Sequence, residues 1–138
     1  MQEIIKFANE NRICYLANID EGEPRVRALE FWFSDETGFY FQTGSSRDLY
    51  KQLRKNQKVE VCFYKPEKDF GTMLRISGII EFVDDMKLKE KCIIDKPFLK
   101  TFGLTADSPH LILFRIQHGK AHFWTWKSNM EPKKFIEF

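Results

Sequence analysis

The stretch FYFQTGSSRDLYKQLRKN (39–56) holds the densest set of anion-binding residue types in the sequence. A strand-like run ends at Thr43-Gly44, hydroxyls follow at Ser45 and Ser46, and good helix formers begin at Arg47. A helix N-terminus offers free N–H groups and the positive end of the helix dipole, which suits a phosphate. Ser45, Ser46 and Arg47 would add hydrogen bonds and charge, with Lys51 one turn on and Arg54 near the same stripe. The same spacing also describes a solvated basic helix face behind an ordinary serine cap. PRVR (24–27) is a second signal. Arg27 shares strand parity with Leu29, Phe31 and Phe33. A cation on an apolar face needs an anion or a polar pocket, unless it snorkels from the strand end to water.

The remaining reactive residue types form no comparable pattern. His118 and His122 are four apart, but Gly119 and an expected turn prevent a helical metal pair. His110 follows Pro109 in a loop. Cys14, Cys62 and Cys92 are far apart and odd in number, with no zinc spacing, and read as buried, reduced thiols. No metal site is expected, and no side chain stands out as a general acid or base.

The elements that must position these residues follow from periodicity. Residues 2–11 read as a short amphipathic helix, 13–19 as a strand, 24–33 as a second strand with Pro24 at its start, and 39–43 as a third. Ser45 and Ser46 are expected to cap a helix over 47–55, with Leu49 and Leu53 on its apolar face. Strands follow over 58–65 and 72–83, then a helix over 86–95 capped by Asp84 or Asp85, and a second helical piece from Pro97 towards Phe102. A hairpin of 111–117 and 121–126 is expected to turn at His118-Gly-Lys, with His122, Trp124 and Trp126 on one side as core or interface packing. Seven short strands without a βαβ rhythm predict a mainly β fold: an antiparallel β-barrel with peripheral helices, in a single domain over 1–138. Phe31, Phe33, Phe39, Phe41 and Phe63 are its candidate inner-wall or interface residues.

Composition excludes several classes. Of 138 residues, 43% are hydrophobic and 14 are Phe, which is enough apolar surface for one core and argues against disorder. A net charge of only +2 argues against a bulk electrostatic nucleic-acid binder. No apolar run reaches the roughly 20 residues of a membrane span, and the N-terminus lacks signal-peptide architecture, so a cytoplasmic protein is expected.

Three segments, YLANIDEGEPRVRALEF, FQTGSSRDLYKQLRKNQKVEVCFY and GTMLRISGIIEFVDD, together resemble the FMN-binding split-barrel family of pyridoxamine 5′-phosphate oxidase. The nearer resemblance is to its short, nitroimidazole-resistance-like bacterial members. It implies FMN as cofactor. Arg27 would bind the FMN phosphate, with Val26 and Ala28 near the ribityl chain and Gln42 and Thr43 facing the isoalloxazine ring. Ser46, Arg47 and Lys51 resemble the phosphate-binding helix start, and Arg75 matches a strand position that approaches the flavin of a partner subunit. A homodimer with the flavin at its interface is therefore implied. The oxidase's C-terminal substrate-binding segment has no counterpart in WKSNMEPKKFIEF, which argues against a vitamin B6 phosphate as substrate.

The resulting expectation is an FMN-dependent oxidoreductase passing electrons from NAD(P)H to a small acceptor such as a nitroaromatic or quinone. The alternative is a flavin-binding or redox-sensing protein without turnover. A barrel binding single-stranded nucleic acid through 47–58 is disfavoured by Glu60, Glu67 and Asp69 beside that stretch.

Overall fold

The computed structural model describes residues 1–138. Helix α1 (Gln2–Glu10) is followed by strands β1 (Ile13–Asp20), β2 (Glu23–Glu30), β3 (Phe33–Asp35) and β4 (Gly38–Gly44). Helix α2 (Asp48–Lys55) precedes β5 (Lys58–Lys65) and β6 (Thr72–Val83). Helix α3 (Met86–Asp95) and a 3₁₀ helix (Pro97–Phe102) lead into β7 (Leu111–Trp124) and the short β8 (Ile136–Glu137). All pairings are antiparallel, in the order β2-β1-β5-β6-β7-β4-β3, with β8 added to β7.

The two ends of that order are one piece of chain. Only Phe31 and Trp32 separate β2, which pairs with β1, from β3, which pairs with β4. A bent segment thus supplies both ends of the sheet and curls it round into a split barrel, with no hydrogen-bond ladder between β2 and β3. Its backbone is satisfied at the bend: Phe31 N–H donates to Arg12 O at 2.6 Å, and the Arg12 guanidinium donates to Trp32 O. The strand expected over 24–33 is accordingly split. Phe31 enters the barrel, whereas Trp32 and Phe33 both join an outer cluster, so Phe33 is not an inner-wall residue.

Inside, Phe31 meets Phe63 and Phe41 edge-on at 5.0 and 5.2 Å, and Phe41 stacks on Phe114 at 5.0 Å. Such pairs add about 0.5–1.5 kcal/mol each beyond their buried area. Ile4, Ile5 and Ala8 of α1 and Leu49 and Leu53 of α2 join the same core. Outside, Trp32, Tyr40, Leu111 and Leu113 pack under Cys92, Ile93 and Leu99 of α3 and the 3₁₀ helix. The indole of Trp32 donates to Asp95 at 2.9 Å, and Asp85 caps α3 by accepting from Leu88 N–H at 2.9 Å.

The expected hairpin at 118–120 does not form. β7 runs unbroken for 14 residues, pairing with β4 along its first half and with β6 from Leu113 to Trp124, across a bulge at Gly78/Ile80. Gly119 lies in this strand because of close approach, not because of a turn. A Cβ there would lie 2.2 Å from Ser77 O, and Phe138 also exchanges two backbone hydrogen bonds of 3.1 Å with Gly119. The strand ends at Trp124; Trp126 leaves it to stack on Phe70 at 4.3 Å. No helix is long and apolar enough to cross a membrane.

Gly119→Ala is expected to destabilise the fold by about 1–3 kcal/mol, the usual cost of overpacking, or by more if the β6 backbone cannot shift. Gly103→Ala, at a positive φ but with nothing within 4 Å of the added Cβ, should cost only about 1–2 kcal/mol. Paired denaturant titrations measure both.

Candidate functional site

A cavity of about 750 Å³ opens where β2, the end of β4, the start of α2 and the 3₁₀ helix converge. It has a polar end, formed by Arg27, Gln42, Thr43 and the turn Gly44–Asp48, with His110 beside it. Leu29, Leu49, Phe98, Leu99, Phe102 and Leu104 supply apolar lining, and Glu30 adds a second carboxylate in addition to that of Asp48. A cleft of this size, with polar and charged groups beside apolar and aromatic side chains, is large enough for a small-molecule ligand.

Arg27 reaches this cavity because its register partner on β1 is Leu16, a core residue, so its side chain leaves β2 on the inner face. There it passes beneath α2 instead of snorkelling. Nη1 donates to Asn18 Oδ1 at 2.6 Å and Nη2 to Gln52 Oε1 at 2.9 Å, while Asn18 Nδ2 also donates to Gln52 Oε1 at 2.9 Å. Both partners are neutral amides, and Arg27 forms no ion pair. Burial pulls its pKa down, with the field of Asp48 opposing and that of Arg25 adding to the shift. The guanidinium stays charged nonetheless, with donors to spare and no carboxylate hydrogen-bonded to it.

The turn before α2 supplies the complementary half. The residue at the helix N-cap is Arg47, not Ser45 or Ser46, and no side chain caps the helix. Ser46, Asp48 and Leu49 N–H groups make no backbone hydrogen bond, so the first turn is open to an acceptor. Ser45 is held to His110 twice: Ser45 N–H donates to His110 O at 3.0 Å, and Ser45 Oγ lies 2.8 Å from His110 Nδ1. Asp48 also lines the cavity. Its carboxylate favours the helix dipole but opposes an incoming anion, against the two cations Arg27 and Arg47.

Of the residues expected from sequence, Arg27, Ala28, Gln42, Thr43, Ser46 and Arg47 line this one cavity. Val26 does not: it faces away from the barrel, 69% exposed. Lys51 is exposed and also outside the lining, because one helical turn carries it past the cavity mouth. Arg75 sits on the outer face of β6, where Glu60 holds it through Nε and Nη2, both at 2.8 Å. Sequence reasoning missed Asn18 and Gln52, whose only signal is that they are polar on otherwise apolar faces. It also missed His110 and the aromatic wall of the 3₁₀ helix, which are brought in by chain crossings with no local pattern.

The remaining reactive groups are placed elsewhere. Burial pushes the Cys14 thiol up to about 12 and that of Cys92 up to about 11, and also raises Cys62, so none is a ready thiolate. His122 is buried on β7 against the Phe135 ring, and burial, with help from Arg75 and Lys133, holds it towards neutrality. No three His, Cys, Asp or Glu side chains cluster as a metal site would require.

The donor set fits a phosphate-bearing, partly planar ligand: a guanidinium held only by neutral amides, a second arginine and an open helix turn, together with apolar and aromatic side chains. The family model described as pyridoxamine 5′-phosphate oxidase matches residues 1–124. No curated protein matches the chain. Among solved structures, a NimC/NimA family protein from Clostridium acetobutylicum superposes with a TM-score of 0.82 at 22% identity, covering 100% of this chain and 93% of the other. A FAD-binding protein from Mesorhizobium loti gives 0.69 at 21% identity, over 88% of this chain and 91% of that one. HutZ, the heme storage protein from Vibrio cholerae, gives 0.68 at 16% identity, over 90% and 92%. With this barrel and a match over nearly its whole length, the chain belongs to the pyridoxamine 5′-phosphate oxidase family.

Proposed function

We propose that this protein binds FMN in the cavity between β2, β4 and α2 and serves as an FMN-dependent oxidoreductase. The observation that carries the reading is the Arg27 guanidinium, half-buried beneath α2 with neutral amide partners and no carboxylate. Arg27, Arg47, the Ser46 hydroxyl and the open N–H groups of α2 would hold the phosphate; Gln42, Thr43 and the aromatic wall would flank the ring. The family assignment and the neighbour named as FAD-binding support a flavin as the group. When bound, the flavin supplies hydride and electron transfer, here from NAD(P)H to a small acceptor. The chain's own part is binding, orientation and field: Gln52 and Asn18 hold Arg27 in place, and the apolar side chains offer a surface for the ring.

The same reading places a second copy of the chain against the outer face of β2, β1, β5 and β6. On that face Ile13, Tyr15, Ile19, Val26 and Ile79 are exposed, at 58, 46, 39, 69 and 64%. Their register puts them on one side of the sheet, with Arg75 and Glu60 in the middle. Exposed apolar side chains in one contiguous group fit a protein interface better than water.

Purified protein is expected to carry, or take up from added FMN, a flavin absorption spectrum, and NAD(P)H should bleach it. A haem spectrum, or failure to take up FMN, overturns the reading. FMN binding without nicotinamide oxidation removes the oxidoreductase half and leaves a flavin carrier or sensor. Arg27→Gln should weaken FMN binding by roughly 10–100-fold, the loss of a charge-assisted bond worth about 1.5–3 kcal/mol. Light scattering should give twice the 16.5 kDa chain mass, and Tyr15→Glu should shift it towards the monomer.

A further inference from the structure

His110 is the one imidazole at the cavity, and neither the family resemblance nor the expected phosphate set includes it. It stands at the entry to β7, with its N–H 3.3 Å from Ser108 Oγ, and it fixes Ser45 through both backbone and ring. The ring contact has two possible directions. If Nδ1 carries no proton, Ser45 O–H must donate to it, and Ser45 then presents only lone pairs to the cavity. If Nδ1 carries a proton, Nδ1–H donates to Ser45 Oγ and the Ser45 proton is free to point elsewhere.

We propose that His110 is a positioning residue that turns the Ser45 hydroxyl towards the bound phosphate, coupling phosphate-ester binding to a proton on His110 Nδ1. The proposal rests on the phosphate reading of this cavity. A phosphate beside Ser46 and Arg47 accepts hydrogen bonds and donates none when fully ionised, so it favours the state in which Ser45 donates to it. The neutral Nδ1–H tautomer frees the Ser45 proton without net uptake; the imidazolium does so by taking one proton from solvent, and none passes to the phosphate. The charged residues that line the cavity with His110 are Arg47 at the N-cap of α2, Asp48 on α2, and Arg27 and Glu30 on β2; Asp107 lies three residues before His110 in sequence. The Glu30 charge is already paired with the buried Lys96 at 3.3 Å. An added dianion brings negative charge to this cavity and favours the imidazolium over the neutral tautomer.

The test is an NMR titration of the His110 ring in the free protein, then with inorganic phosphate, with FMN and with riboflavin, repeated in Ser45→Ala. Phosphate and FMN should each raise the His110 midpoint by about one pH unit, a tenfold gain in proton affinity, and riboflavin should leave it in place. In Ser45→Ala the rise should shrink to a small fraction. An unmoved midpoint at saturating FMN overturns the coupling, and an equal rise in Ser45→Ala overturns the role of the hydroxyl. A protein that takes up no FMN, yet shows the Ser45-dependent rise with inorganic phosphate, keeps the coupling and loses the flavin. As a second readout, the ratio of wild-type to His110→Asn affinity for FMN should fall about tenfold from pH 5.5 to pH 8.5. The ionisation of FMN itself cancels in that ratio, so a flat ratio contradicts the proposal.

Discussion

The break at Phe31-Trp32 is the constraint on which the rest of the structure depends. One segment must serve both edges of the sheet, so the chain has to bend there while keeping β2 on β1 and β3 on β4. Adjacent aromatic side chains make the bend stable by going to opposite sides: Phe31 into the barrel core and Trp32 into the outer cluster beneath α3. The clasp is electrostatic as well as apolar. Trp32 donates to Asp95, and Lys91 lies 5.2 Å from the indole centroid and 4.2 Å from that of Phe33. The Asp95 carboxyl is opposed by burial but held below the usual range by hydrogen bonds from Lys91 and Trp32. Its contribution is therefore present at neutral pH and fades only as pH falls through that lowered value.

Closure also determines where the site lies. With β2 curving towards the bend, Arg27 projects inward near the barrel end that α2 covers, and meets Asn18 and Gln52 there. Two neutral amides orient the guanidinium without neutralising it. A carboxylate in either position would have made an internal ion pair and left nothing for a ligand. Arg75 shows the contrast, because Glu60 already takes its charge on the outer face. Which arginine can receive an anion is thus decided by its neighbours on adjacent strands, not by its own strand.

That distinction also marks what sequence made legible. Strand periodicity located most of the barrel, and the hydroxyl-rich turn before α2 marked one part of the cavity lining, because both are local patterns. The errors came where a residue type serves a non-local purpose. Gly119 reads as a turn residue but lies within a strand, where Ser77 O leaves no room for a Cβ. Phe33 follows the parity of Phe31 on paper, and the bend puts it on the other side. Lys51 follows Arg47 at helical spacing, yet only the first turn of α2 faces the cavity. His110 and the 3₁₀ aromatics arrive from more than fifty positions away, and nothing in their own segments marks them.

The central claim is that the cavity recognises a phosphate through Arg27, held only by neutral amides, and the open turn of α2. Comparing FMN with riboflavin by fluorescence titration isolates that phosphate, since the ring and ribityl chain are common to both. The account predicts that FMN binds at least tenfold tighter at moderate salt, the equivalent of about 1.4 kcal/mol or more. Equal affinities would contradict it.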